Sequence, residues 1–156
     1  MRTAVAVFAG PGSPTYAMRQ WAGSGLAEAL VAAVRSGATV TFSSAAALTL
    51  GEVSVPVYEI YKCGAEPEWV PGLDVLVTLT GLRAAVVPHF DNAEGGTHDT
   101  RYCYLGETRL RRLERQLPAG VHVLGVDEHT ALVLAPGGGT ARVLGRGAVT
   151  VRAAGR

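Results

Sequence analysis

The chain has 156 residues, of which 48% are hydrophobic, a size and composition typical of one globular domain with a buried core. Its 14 basic and 13 acidic residues are mixed along the sequence and leave a net charge of +1, which argues against nucleic acid or a membrane surface as a main partner. We therefore expect residues 1–156 to form a single domain that acts on a small molecule.

The first predicted element is a strand over Thr3–Ala9, an apolar run rich in valine that ends at the Gly/Pro loop 10–12. Such a continuous apolar run is typical of a strand buried on both faces of a parallel sheet. It is too short to span a bilayer and does not have the pattern of a signal peptide. Two cysteines, Cys63 and Cys103, match no metal or redox spacing, and we expect a cytoplasmic protein.

A helix is predicted over 25–36, because Leu26, Leu30 and Val34 fall on one helical face and Gly37 can end the helix in a left-handed conformation. A second buried strand follows at Thr39–Phe42. The order strand, helix, strand predicts the crossover of a doubly wound, mostly parallel sheet.

The middle of the chain is less regular. Glu52–Lys62 is interrupted by a proline and predicts an extended or edge-like piece, followed by a loop as far as Pro71. The apolar segments "LDVLVTL" and "AAVVPHF" are each compatible with a strand or a helix. Leucines at helical spacing predict a helix from Glu107, and the tail predicts strands with a C-terminal β-hairpin around the glycines 137–139.

Ser43 and Ser44 follow the second strand directly and precede three alanines. Serine is a common helix cap and alanine a strong helix former, so one interpretation of this segment is structural. The other is a nucleophile elbow, in which small residues permit a tight strand-to-helix turn around a serine. That serine would need a general base, an acid to orient the base, and backbone N–H groups for the oxyanion.

Candidates for these partners occur along the chain. His89, at the end of an apolar segment, is the best candidate for the base. Candidate acids are Asp127 and Glu128, in a turn between two apolar segments, and Glu59 in "VYEIYK". Gly12 in the first loop could supply an oxyanion N–H, since the preceding proline has none.

Five segments occur in a recognisable order: "FAGPGSPTYAMRQW", "FSSAAA", "VPHFDN", "GETRLRRLE" and "GVDEHTAL". Their order and spacing are similar to those of the peptidase E and cyanophycinase family of serine peptidases, and the resemblance covers roughly residues 4–151. It implies a three-layer, flavodoxin-like α/β fold like that of class I glutamine amidotransferases. It also implies hydrolysis by a Ser-His-Glu triad.

By this resemblance each role falls on one position of the sequence: Ser44 as nucleophile, His89 as general base, Glu128 as orienting acid, Gly12 and Ala45 as oxyanion hole, and Arg109 as the arginine that binds a substrate carboxylate. An arginine suits the last role because its planar fork can hold a carboxylate through two hydrogen bonds. Glu59 is the second choice for the acid.

The sequence departs from the family pattern in two respects. Phe42 and Ala46 stand where the family has the two glycines of the elbow, so each position carries a Cβ. The resemblance also begins at the strand just before the Gly-rich loop, which predicts a domain shortened at its N-terminal side. This leaves two alternatives open: either the sequence is truncated at its start, or the exposed sheet edge pairs with a second copy of the chain in a homodimer.

The function predicted is that of a serine hydrolase that cleaves a peptide or isopeptide bond in a small, Asp-linked substrate and needs no cofactor. Two alternatives stay open. A domain of this fold can be inactive and serve as a binding or assembly module, since fold alone does not establish function. A metal-dependent hydrolase would use His89, Asp91, His98 and Asp99, although their spacing matches no established zinc motif.

Overall fold

The computed structural model describes residues 4–153, and within this range the chain forms six helices and nine short strands. The helices are α1 (Pro14–Trp21), α2 (Leu26–Arg35), α3 (Ala45–Leu48), α4 (Val57–Cys63), α5 (Val75–Thr80) and α6 (Gly106–Glu114). The strands are β1 (Ala6–Ala9), β2 (Thr39–Phe42), β3 (Val53–Ser54), β4 (Val70–Pro71), β5 (Ala84–Val87), β6 (His122–Val126), β7 (Thr130–Leu134), β8 (Ala141–Gly145) and β9 (Val149–Ala153).

Two pairs of parallel strands bring distant segments of the chain together. β1 pairs with β2, with Ala9 opposite Phe42, and β5 pairs with β6, with Val87 opposite Gly125. The first pairing continues beyond β2, since the Ser43 N–H donates to the Ala9 carbonyl at 2.9 Å. The loops after β2, β5 and β6 therefore start at carboxyl ends of parallel strands, where α/β folds place their ligand sites.

The other strand pairs are antiparallel. β6 also pairs with β9, β7 with β8, and β3 with β4. The predicted α/β class is correct, but among residues 4–153 only two of the five strand pairs are parallel, and they belong to separate small sheets. The predicted C-terminal hairpin is formed by β7 and β8, joined by the glycine-rich segment 135–140. A three-layer, flavodoxin-like arrangement stays a prediction.

β1 is far more exposed than its apolar sequence predicts. Instead of being buried on both faces, Phe8 is 70% exposed and the adjoining Val5 is 85% exposed. The physical reason is that β1 pairs on one side only within the described range, with β2. Thr3, the predicted first residue of the strand, lies outside the described residues, and the strand begins at Ala6. Coverage of this edge by a second copy stays a prediction.

The helices that carry clear end signals form as expected. α2 has its predicted bounds to within one residue, and Gly37 follows it with φ 95°. α6 coincides with the predicted leucine-rich helix. α1 was not predicted from the periodicity, although its start has a capping residue, because Ser13 Oγ accepts the Tyr16 N–H at 3.1 Å and Pro14 occupies the first turn.

The prediction of an extended piece and loop after Pro56 is wrong, because Val57–Cys63 is helix α4. Val57 and Ile60 are 3% and 0% exposed, so the helix buries one face in the core. That burial outweighs the preference of valine, isoleucine and tyrosine for strands. Gly64 ends the helix with a φ of 71°. The two ambiguous segments beyond it form one helix, α5, and one strand, β5.

The core lies on both faces of β5 and β6, since successive residues of a strand point to opposite sides. One cluster joins these strands to α3, α4 and α6 through fully buried residues that include Leu48, Ile60, Val87, Leu105, Leu110, Leu113 and Val123. The other packs α3 and α5 through Ala47 and Leu76. None of the helices within residues 4–153 combines the length and the apolar character needed to cross a bilayer.

Candidate active site

Ser44 stands at a strained turn between β2 and α3. Its backbone has φ 53° and ψ −121°, a conformation that residues with a side chain rarely adopt. The Ser44 side chain makes no capping hydrogen bond to α3, so this serine does not act as the helix cap that one interpretation of the sequence proposed. The turn has the conformation that a nucleophile elbow requires.

Phe42 and Ala46, two residues on either side of Ser44, both find packing contacts for their side chains. Ala46 is 2% exposed and lies in α3, which packs closely behind the turn. Phe42 is half-buried, and the edge of its ring meets Trp21 with the ring centroids 6.1 Å apart. The Cβ atoms at these positions therefore point into packing contacts.

Three side chains from three loops form one hydrogen-bonded relay, which we call the Ser-His-Glu relay. Ser44 Oγ lies 2.9 Å from His89 Nε2, and His89 Nδ1 lies 2.9 Å from Glu128 Oε1. A histidine that carries its proton on Nδ1 would accept from the serine hydroxyl and donate to the carboxylate. The His89 and Glu128 side chains are 33% and 28% exposed, so the relay borders solvent.

A short left-handed turn supports the base. His89 itself has φ 50°, and its carbonyl accepts the Cys103 N–H at 3.1 Å. The next carbonyl, of Phe90, accepts the Tyr102 N–H at 3.1 Å. Tyr102, Cys103 and Tyr104 have φ values of 61°, 56° and 64°. Three consecutive left-handed residues are unfavourable for L-amino acids, so this turn is held by its surroundings.

The acid is held by the same segment that carries the base. Asn92 Nδ2 donates to Glu128 Oε1 at 2.8 Å, and Asp91 Oδ1 accepts the Glu128 N–H at 2.7 Å. The hydrogen bond from Asn92, followed by that from His89, lowers the pKa of Glu128 below its usual value. Glu128 is therefore a carboxylate at neutral pH. Sequence reasoning did not single out Asn92, because an asparagine in a loop is ordinarily a turn residue.

Two loops bring backbone N–H groups to this end of the strands. Ala45 is the first residue of α3, and an N–H in the first turn has no acceptor within its own helix. It directly follows Ser44, which is where an elbow supplies an oxyanion donor. Gly12 lies in the exposed loop between β1 and α1, next to the β1–β2 pair. Within the described residues Gly12 makes no hydrogen bond to the relay.

The remaining candidates lie outside the relay. Arg109 is exposed on α6, and its Nη1 donates weakly, at 3.4 Å, to the carbonyl four residues before it. Glu59 accepts a hydrogen bond from the Thr15 hydroxyl at 2.8 Å and so links α4 to α1. Asp127 accepts a backbone N–H from the β8–β9 connection. Of the three candidate acids, Glu128 is the one that contacts the base.

The residues of the metal alternative are engaged in separate contacts. His89 and Asp91 both contact Glu128, whereas Asp99 accepts from the Arg101 guanidinium at 2.8 Å. His98 is exposed in the same loop. Between residues 4 and 153, no three or more His, Cys, Asp or Glu side chains are grouped so that they could hold a metal ion.

An open groove of about 430 Å³ lies elsewhere on the described surface, and none of its lining residues belongs to the Ser-His-Glu relay; it is lined by Tyr58, Tyr61, Lys62, Glu94, Gly95, Thr100 and Tyr104. The Glu94 N–H donates to Asn92 Oδ1 at 3.3 Å, which connects the groove to the residue that holds the acid. The Tyr104 hydroxyl donates to Glu94 Oε2 at 2.5 Å, and this bond raises the pKa of Tyr104 to about 12. A second cavity, of about 660 Å³, lies between α2 and α5 and is lined by no relay residue.

The chain has the fold of a peptidase of known structure. It is similar to the crystal structure of a peptidase from an acI-B1 Actinobacterium, with a TM-score of 0.70 and 19% sequence identity. The similarity covers 97% of this chain and 54% of that one, so this chain spans about half the length of that structure. No protein-family model matches the chain, and no curated protein matches it in sequence.

Proposed function

We propose that this chain is a serine hydrolase of the peptidase E type, which cleaves a peptide or isopeptide bond in a small substrate. The observation that carries the proposal is the unbroken relay from Ser44 Oγ through the His89 imidazole to the Glu128 carboxylate, with both distances at 2.9 Å. The strained backbone of Ser44 and the similarity to a peptidase of known structure support the same function.

In the proposed reaction Ser44 Oγ attacks the scissile carbonyl while His89 Nε2 takes the hydroxyl proton. The Glu128 carboxylate accepts a hydrogen bond from the Nδ1–H group throughout, stays ionised and stabilises the imidazolium. The carbonyl oxygen, now negative, would be bound by the N–H groups of Ala45 and Gly12. His89 then returns its proton to the leaving amine. A water molecule repeats the sequence on the acyl-enzyme and releases the acid product.

The proposed substrate class rests on Arg109, which the family resemblance assigns to a substrate carboxylate. Among the described residues the Arg109 side chain donates one hydrogen bond, to the Leu105 carbonyl, and forms no ion pair. A planar guanidinium binds a carboxylate through two parallel hydrogen bonds. An Asp-linked peptide is the substrate that this chemistry favours.

A fluorophosphonate probe tests the proposal directly, because it modifies only a serine that a neighbouring base has activated. We expect the wild-type chain to be labelled and Ser44→Ala not to be labelled. Ser43→Ala is the matched control, since Ser43 is adjacent and exposed but has no histidine contact. Labelling that persists in Ser44→Ala contradicts the assignment of the nucleophile.

Absence of labelling in the folded wild-type chain, alongside a reactive control hydrolase, would favour the inactive binding module instead. The metal alternative predicts a different result in the same assay. Hydrolysis that a chelator abolishes, and that His98→Ala reduces while Ser44→Ala does not, would replace the serine mechanism with a metal-dependent one.

A further inference from the structure

We propose that Asn92 is a positioning residue, which orients the Glu128 carboxylate so that one chosen oxygen faces the catalytic imidazole. The inference deepens the proposed function and rests on it, since it concerns how the Ser-His-Glu relay is held. Asn92 would touch neither the substrate nor the serine.

The Asn92 side chain has no freedom to adopt another orientation. It is 1% exposed, and both ends of its amide are engaged. Nδ2 donates to Glu128 Oε1 at 2.8 Å, and Oδ1 accepts the Glu94 N–H at 3.3 Å. The Asn92 backbone is fixed as well, because its N–H donates to the His89 carbonyl at 3.3 Å and its carbonyl accepts from Thr100 Oγ1 at 3.4 Å.

The contact determines which carboxylate oxygen meets the base. His89 Nδ1 and Asn92 Nδ2 both lie against Oε1 of Glu128, whereas the described residues place no hydrogen-bond donor on Oε2. Asp91 holds the backbone of Glu128 through its N–H at 2.7 Å. Asp91 thus fixes the backbone of Glu128, and Asn92 fixes its partly exposed carboxylate. Without Asn92, the carboxylate would be free to rotate toward solvent.

Glu128 lies among several titratable groups, and a neutral donor at position 92 suits that setting. His89 and His129 help to lower its pKa electrostatically. Its own charge contributes to the raised pKa values of Cys103 and Tyr104, for which burial and the hydrogen bond to Glu94, respectively, are the larger causes. An acid at position 92 would add a second negative charge against Oε1. An asparagine supplies the hydrogen bond without that repulsion.

Three variants test the inference. Asn92→Leu removes both hydrogen bonds of the side chain. Asn92→Asp is nearly isosteric and keeps the acceptor for the Glu94 N–H, but it replaces the donor to Glu128 with a second negative charge. Thr80→Val is the matched control, because it removes the two hydrogen bonds of a threonine side chain, one to the Leu76 carbonyl and one from the Leu82 N–H, without touching Asn92 or Glu128.

The expected result is that both Asn92 variants react with fluorophosphonate about tenfold more slowly than wild type, while Thr80→Val stays within about twofold. A purely structural role would lower the unfolding midpoint and leave the labelling rate of the folded chain unchanged. A wild-type labelling rate in folded Asn92→Leu would overturn the inference.

A second measurement separates this inference from the proposed function. Carbon-13 NMR titration of the Glu128 carboxyl, in chains that also carry Ser44→Ala, requires no activity. The Glu128 titration midpoint should rise when Asn92→Leu or Asn92→Asp is added and should stay in place with Thr80→Val. An unchanged midpoint in folded Asn92 variants contradicts the positioning role. If the Glu128 midpoint rises in the Asn92 variants but the wild-type chain never reacts with the probe, the contact between Asn92 and Glu128 is supported and the proposed hydrolase function is rejected.

Discussion

Glu128→Gln is predicted to slow the proposed reaction of Ser44 without disrupting the geometry of the Ser-His-Glu relay. His89 Nδ1 and Asn92 Nδ2 approach the same glutamate oxygen, at 2.9 Å and 2.8 Å. A glutamine can place its one carbonyl oxygen at that point and keep both hydrogen bonds, with its amide nitrogen in the place of Oε2. The substitution therefore removes the negative charge and leaves the imidazole in the tautomer that the reaction needs.

The magnitude follows from the lost attraction between the carboxylate and the imidazolium that forms during attack. Two unit charges about 4 Å apart attract by about 4 kcal/mol at an effective dielectric constant of about 20. The two side chains are 33% and 28% exposed, so solvent screens part of this energy. Taking about half, or about 2 kcal/mol, we expect acylation to be about 30-fold slower.

The assay is the second-order rate of fluorophosphonate labelling at neutral pH, measured for wild type, Glu128→Gln and Glu59→Gln. Glu59 is the matched control, since it bonds to Thr15 and does not reach the relay, and its variant should react within about twofold of wild type. A wild-type rate for Glu128→Gln would refute the role of the charge. A loss of about four orders of magnitude would instead show that the tautomer is lost, and that the geometric argument is wrong.

Three further predictions concern stability and reactivity. Gly125→Ala should lower the free energy of unfolding in urea by about 1–3 kcal/mol, because its Cβ would lie 2.4 Å from the Phe90 ring; an unchanged midpoint would contradict this packing. Arg152→Met should lower the melting temperature above pH 4.5 but hardly at pH 2. The Arg152 hydrogen bond is the main cause that lowers the pKa of Glu107 from 4.5 to about 2. The stability that this ion pair gives the fold is therefore lost as the pH falls from 4.5 to about 2 and Glu107 becomes protonated. An equal difference in melting temperature between variant and wild type at both pH values would refute this dependence on Glu107. Cys103 is buried, which raises its thiol pKa to about 12, and it should resist Ellman's reagent at pH 8 until the chain unfolds, while the exposed cysteine reacts at once.

Elements with local signals were predictable from the sequence. α2 has an apolar face of the right period and a glycine just beyond its end, and both signals lie within a few residues of the helix. α4 has valine, isoleucine and two tyrosines, which favour a strand, and only its burial against the core makes it a helix. The number of strands that pair with β1 is likewise a property of the tertiary structure, and it cannot be predicted from the apolar sequence of β1.

The candidate site likewise contains residues that could be predicted from the sequence and one that could not. Ser44, His89 and Glu128 could be chosen because their motifs resemble those of a known family, and the structure brings these side chains within hydrogen-bonding distance. The short distances between these three side chains could not be derived from their spacing in the sequence, because those distances depend on which strands pair. Asn92 could not be found at all, because its partner is 36 residues away and asparagine is common in loops for other reasons.

The backbone of Ser44 also affects how the chain would evolve. A glycine would adopt φ 53° and ψ −121° with less strain than a serine. A residue other than glycine held in such a region typically destabilises the fold by about 1–3 kcal/mol. Selection for heat resistance alone should therefore favour glycine at position 44 and discard the hydroxyl. In a library screened only for survival at high temperature, we therefore expect glycine to replace serine at position 44, which would mark the strained position without any substrate.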